Sequence, residues 1–244
     1  MKEVARVLYG SQNYNLDNMQ SDKDYKVLLC PSWDDLYRMK KVSKNDVNEE
    51  NEHNSPMDCR QFNTLLLKGN TNVLEMVYST EWHYNEDMQL YVMHAKDLLS
   101  YGYLALVWPD FYAATQGMAL NSLQRYGANP KAVSRSWYLY QLVQYVHDHD
   151  FTMFTDCWRN EDYAMKAREL RFGPNMPTAE EYQKMADLVL DNFADNKTSF
   201  AADAKLWMGA HPERVERLKA RATLLTDEMK DLVLHELMGE LNLV

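Results

Sequence analysis

Two aspartates two residues apart, Asp22 and Asp24, stand at the head of the apolar run Tyr25-Lys26-Val27-Leu28-Leu29-Cys30. In a strand, residues i and i+2 face the same side, about 7 Å apart. Carboxylates so placed converge on one cation, or on two ions ~3.5–4 Å apart. Magnesium suits such oxygen ligands and keeps positions open for substrate phosphates. Upstream lies Tyr9-Gly10-Ser11, with residues 12–20 between it and Ser21. A glycine lets the backbone approach a phosphate closely, and the Ser11 hydroxyl with nearby N–H groups can bind phosphate oxygens. A phosphate cradle and a metal pair are the parts that phosphoryl transfer needs, because that chemistry rests on positioning and charge neutralisation. Either motif alone is common on surface turns. Their combination beside apolar runs is the informative observation.

The elements that must hold these residues are legible in outline. Val4 to Tyr9 reads as a strand or helix end meeting a turn at Gly10-Ser11. Residues 12–20 are polar and read as a loop. Residues 25–30 read as a strand stopped by Pro31. A short helix follows over residues 33–39, with Ser32 as N-cap and Asp34-Asp35 in its first turn. Residues 44–56 hold almost no apolar side chain and are expected to be a mobile loop. From Cys59 the pattern turns helical, with Gly69 as a stop and a second helix near residues 73–77. Apolar periodicity then predicts helices over residues 88–107, 115–126, 131–150, 160–171, 178–193, 199–208 and 212–240. The expected organisation is α+β, a small sheet-bearing unit over residues 1–85 followed by a helical unit over residues 86–244.

Composition narrows the class. The chain has 244 residues, 46% of them hydrophobic, enough for a true core. Its formal net charge of −10 argues against a broad duplex-binding groove, while leaving room for a local basic pocket. The three cysteines, Cys30, Cys59 and Cys157, show neither disulfide nor zinc spacing. No stretch approaches the ~20 apolar residues of a membrane span, and no signal-peptide core is evident at the N-terminus. A soluble protein of the reducing cytoplasm is expected.

The segment from Tyr9-Gly10-Ser11 through Asp22-Lys23-Asp24 resembles the G-S-x(9–10)-D-x-D signature of DNA polymerase β superfamily nucleotidyltransferases. A second block runs from Asp58-Cys59-Arg60-Gln61-Phe62 through Leu65-Leu66-Leu67-Lys68-Gly69-Asn70 to Val73-Leu74-Glu75-Met76. It is similar to an element of the predicted nucleotidyltransferases associated with RNA repair. The resemblance covers residues 4–80 well, and the helical half only loosely. It implies a polymerase β-type sheet with flanking helices and a two-metal Mg²⁺ site on Asp22 and Asp24. It also implies an NTP held by Gly10, Ser11, Lys68 and Asn70, with NMP transferred to a hydroxyl of an RNA 3′ end, a protein or a small molecule. One departure stands out. The third carboxylate of the superfamily has no clear counterpart, with Glu50, Glu52 and Asp58 as candidates. A catalytically weak or inactive nucleotide-binding regulator is therefore the alternative.

Other residues carry two readings each. Lys68-Gly69-Asn70 also reads as a helix C-terminus. Glu75 orders Arg60 or Lys68 by an ion pair, or faces solvent. Lys26 neutralises phosphate or is an edge lysine. Lys131, Arg135 and Arg171 are candidate contacts for acceptor or triphosphate. Arg214, Arg217, Lys219 and Arg221 touch RNA or form the wet face of a helix, and the wet face is favoured. His147-Asp148-His149-Asp150 lacks metal spacing, since i and i+2 do not share a helix face. Trp137-Tyr138-Leu139-Tyr140 is expected in the helical core.

Overall fold

The structure, a computed structural model, describes residues 1–14, 16–17, 23–40, 46–47, 53–153 and 155–241. Asp22, Glu50 and Glu52 lie outside the described residues. A largely buried antiparallel pair builds the N-terminal half: β1 (Lys2–Tyr9) lies against β2 (Asp24–Cys30), with Tyr9 opposite Asp24. On the other side of β2 runs β4 (His53–Asp58), parallel to it, and β3 (Asp46–Val47) pairs antiparallel with β4. The short β5 (Trp82–Tyr84), which the sequence pattern did not reveal, adds to the free side of β1. The mixed sheet has the order β3-β4-β2-β1-β5.

Residues 53–56 are thus strand and not mobile loop. Pro56 sits in this strand, opposite Val27. His53 donates its N–H to Lys23 O, so by alternation the odd positions of β4 donate towards β2 and the even ones away from it. The N–H that Pro56 lacks would point to the β3 side, where the described pairing stops at Asn54. A proline is tolerated there because no ladder bond among the described residues is lost.

Short helices α1 (Trp33–Tyr37), α2 (Cys59–Leu66) and α3 (Thr71–Val77) follow the strands. Ser32 caps α1 in a capping box with Asp35, and Asp58 caps α2. The C-terminal half is mostly helical: α4 (Glu86–Ser100), α5 (Tyr103–Leu106), α6 (Trp108–Tyr126), α7 (Pro130–Asp148), α8 (Thr155–Trp158), α9 (Glu161–Phe172), α10 (Ala179–Ala210) and α11 (Pro212–Glu240). Several boundaries differ from expectation: α6 begins at Trp108 and not near residue 115, and α8 was not foreseen. The 88–107 segment splits at Gly102, whose φ is +86° and whose added Cβ would fall 2.7 Å from the Trp207 ring. The segments near 178–193 and 199–208 fuse into α10, because the polar window between them holds no glycine or proline. Asn196 in that window donates to the Tyr140 hydroxyl at 2.8 Å.

One hydrophobic core extends from Val4 and Val7 in β1, through Phe62 and Leu74, to Leu225 and Leu237 in α11. Each fully buried side chain of this kind contributes ~1.5–3 kcal/mol. The core therefore continues across residue 85. Helix α11 returns to the N-terminal half, where Trp33 Nε1 donates to Leu237 O at 2.9 Å and Asn85 Nδ2 to Glu236 Oε1 at 2.9 Å. Tyr138 and Tyr140 are buried as expected. Among the described residues no helix is long and apolar enough to cross a membrane.

Candidate phosphate-binding site

The turn after β1 is set by Gly10, whose φ of +81° favours glycine. Space demands glycine as well: a Cβ there would lie 2.6 Å from Asp24 Oδ2. The register that places Tyr9 opposite Asp24 brings the Asp24 carboxylate against the turn. Tyr14 N–H donates to Gly10 O at 3.3 Å and Leu16 N–H to Ser11 O at 2.9 Å, so the chain coils tightly after the glycine.

Beneath the turn lies Glu75 of α3, fully buried. Its Oε1 accepts the Gly10 N–H at 2.6 Å and its Oε2 the Tyr14 hydroxyl at 2.7 Å. Asn13 Nδ2 donates to its backbone oxygen at 3.0 Å. Burial pushes the Glu75 carboxyl up to about 7, against the pull of Arg135, Tyr14, the Gly10 N–H and Lys26. Glu75 thus neither faces solvent nor pairs with Arg60 or Lys68; it fixes the glycine turn. Arg60 pairs with Asp58 instead. Tyr14, in a segment read as polar loop, is buried between the Trp158 ring at 4.9 Å and the Tyr138 ring at 5.5 Å, pinning the turn to the helical half. Tyr14 and Leu16, alternating apolar residues in a polar stretch, were the available signal.

Tyr9, Gly10, Ser11 and Asp24 share a small pocket of about 100 Å³ with Lys131, Ser134, Arg135 and Arg171 of the helical half. Lys131, Ser134 and Arg135 come from the first turns of α7, where Asn129 is the N-cap, and i, i+3 and i+4 share a face. Arg135 lies over the Tyr14 ring at 5.7 Å, and its solvent-shielded Nε has no hydrogen-bond partner among the described residues. Burial works against the Arg135 charge, and Tyr14, Tyr9 and Glu75 outweigh it, so the guanidinium stays protonated. Arg171 is anchored by an Nη1 bond to Leu16 O at 2.8 Å. The pocket is well below the ~300–1,000 Å³ of a whole small-molecule site; its size suits a phosphate group.

Gly10, Ser11 and Asp24 are therefore brought together, with Lys131, Arg135 and Arg171 beside them. Lys68 and Asn70 do not line this pocket. Lys68 is exposed, Asn70 caps α3 by accepting the Asn72 N–H, and Gly69 packs within 3.1 Å, at an added Cβ, of Phe111 and Val107. Lys26 Nζ donates to Ser55 Oγ at 2.7 Å and lies 4.7 Å from the Tyr9 ring centroid.

The third-acid candidates separate on register. On β4 the residues opposite Asp24 and Lys26 are His53 and Ser55. Asp58 alternates to the other face, accepts the Arg60 N–H at 2.8 Å and pairs with the Arg60 guanidinium. Asp58 is thus a helix cap, and Glu50 and Glu52 lie outside the described residues. Among the described residues no group of three His, Cys, Asp or Glu is placed to hold a metal ion. His147 stacks on Phe200 at 3.8 Å with Nε2 3.0 Å from Asp203 Oδ2, while His149 stacks on Tyr145 at 3.9 Å. Comparison with family models, curated proteins and solved structures finds no match for this chain.

Proposed function

We propose that the protein is a magnesium-dependent nucleotidyltransferase of the polymerase β type, moving NMP from an NTP to a hydroxyl acceptor. The observation that carries this reading is the small pocket where the Asp24 carboxylate shares space with Gly10, Ser11 and three cationic side chains. A carboxylate beside a bare phosphate would repel it. A carboxylate and cations around one cavity suit a phosphate that carries its own metal ion.

The donor set fits one such ion. Magnesium is commonly held by one or two carboxylates plus substrate phosphates, and Asp24, with Asp22 by sequence, supplies the protein oxygens. When bound, the ion would neutralise phosphate charge. The chain's own residues then have distinct tasks. Ser11 and the turn bind phosphate oxygens, Arg135 and Lys131 offset their charge, and Glu75 keeps the turn rigid from below. Acceptors in keeping with the resemblance are an RNA 3′ end, a protein or a small-molecule hydroxyl.

A second reading is favoured by His53 and Ser55, which stand on β4 where a third carboxylate would lie beside Asp24. On that reading the protein binds the nucleotide as a regulator and transfers nothing. Incubation with each α-labelled NTP, magnesium and a small-RNA pool, beside Asp24→Asn, tests both. Label on RNA or protein in the wild type alone supports transfer. Magnesium-dependent NTP binding without label supports the regulator. No nucleotide-induced rise in melting temperature, where saturation at 100 Kd would add ~2.7 kcal/mol, sinks both.

A further inference from the structure

A second cationic site lies on α11. Arg214, Arg217 and Arg221 line a groove of about 450 Å³ with Tyr101 and Leu218. Their spacing of i, i+3 and i+7 puts them on one helix face. No carboxylate lines the groove among the described residues. Like charges so spaced repel by ~0.2–0.5 kcal/mol per pair. Asp97, bonded to Arg221 at 2.6 Å, answers one of the three.

The groove also holds an aromatic platform. Tyr101 is 48% exposed, and its ring centroid lies 5.8 Å from the Arg214 guanidinium and 5.2 Å from that of Arg221. Arg214 is fixed by an Nε bond to Tyr101 O at 2.9 Å and by the Trp207 ring at 5.2 Å. Arg217 is exposed and has no hydrogen bond or ion pair to the described residues. Guanidiniums held around a half-open ring, with one reaching freely into solvent, match the combination of phosphate contact and base stacking.

The groove is separate from the phosphate pocket. Tyr101 adjoins Gly102, whose added Cβ would lie 3.2 Å from Asp150 O, just past the end of α7. The phosphate pocket is at the start of α7. A helix of 19 residues is ~28 Å long, so the two sites sit at opposite ends of it.

We propose that this groove binds single-stranded nucleic acid, with a phosphate on Arg217 and a base on Tyr101, while Arg221 stays paired with Asp97. The proposal stands independently of nucleotidyl transfer. It is tested on the full chain, without magnesium or NTP, by fluorescence anisotropy of a short labelled oligouridylate across a salt series. Arg217→Ala should weaken binding at least about threefold and flatten the log–log salt slope by ~0.7. Adding Arg221→Ala, which removes the guanidinium over the Tyr101 ring, should bring the loss to about tenfold. Tyr101→Leu should cost at least about fivefold, the low end of base stacking at ~1–3 kcal/mol. Unchanged melting temperatures would show the variants folded. Affinity unaltered in folded Arg217→Ala/Arg221→Ala overturns the proposal. So does equal affinity for blunt duplex, or loss of binding in Arg135→Gln, which would move the strand to the other pocket.

Discussion

Replacing Gly10 by alanine adds one methyl group at the junction of the turn, Asp24 and Glu75. The backbone there has φ +81°, and a side chain in the left-handed region costs ~1–2 kcal/mol. The new Cβ would fall 2.6 Å from Asp24 Oδ2 and 3.3 Å from Asp24 Cβ, so either the carboxylate swings away or the turn moves. Movement of the turn weakens the bond from Gly10 N–H to Glu75 Oε1, now 2.6 Å, and a bond to a charged partner is worth ~1.5–3 kcal/mol. The sum is about 2.5–5 kcal/mol, or ~5–20 °C in Tm for a chain of this size. Thermal melts read the stability, and calorimetric titration with Mg·ATP reads the displaced Asp24 as lost affinity. Gly117→Ala is the control, because nothing lies within 4 Å of its added Cβ in the middle of α6. That variant should be neutral or stabilised by up to ~1 kcal/mol. A Gly10→Ala protein that melts with the wild type and binds Mg·ATP equally well would refute the account of the turn.

Further outcomes follow from the same contacts. Burial raises Glu75 from an ordinary value of 4.5 to about 7, so the folded chain holds that proton more tightly than the unfolded one. Its contribution to stability falls as pH climbs from about 4.5 to about 7. The wild type should therefore lose Tm relative to Glu75→Gln across that window, and a constant gap contradicts the assignment. Asp58→Ala removes the α2 cap and the Arg60 pair, costing ~0.5–2 kcal/mol, with nucleotide affinity and any transfer unchanged. Abolished transfer in a protein that still melts cooperatively would make Asp58 the missing acid after all.

The local sequence was sufficient for features governed by neighbours along the chain. Ser32 as an N-cap, Pro31 as a strand stop, Gly69 as a helix stop and the apolar periodicity of α7 and α11 are such features, because caps, turns and amphipathic faces are set within a few residues. Gly10 as a required glycine was legible too, but the reason that the structure gives is the left-handed turn and the Asp24 carboxylate that fills the space. Lys131, Arg135 and Arg171 were legible only as candidates, since nothing in a linear string says that the start of α7 meets the end of β1. Strand β4 was hidden because its residues are polar and contain Pro56, and only pairing beside β2 shows that the missing N–H is turned away from that strand. The same register decided that Asp58 turns away from Asp24 while His53 and Ser55 face it. Glu75 is the sharpest case. A charged residue in a seven-residue helix reads as solvent-facing, because isolated burial of a carboxylate is expensive. Only the tertiary structure supplies the Gly10 N–H, the Tyr14 hydroxyl and the Arg135 guanidinium that make its burial tolerable, and these come from segments about 60 residues away on either side along the chain.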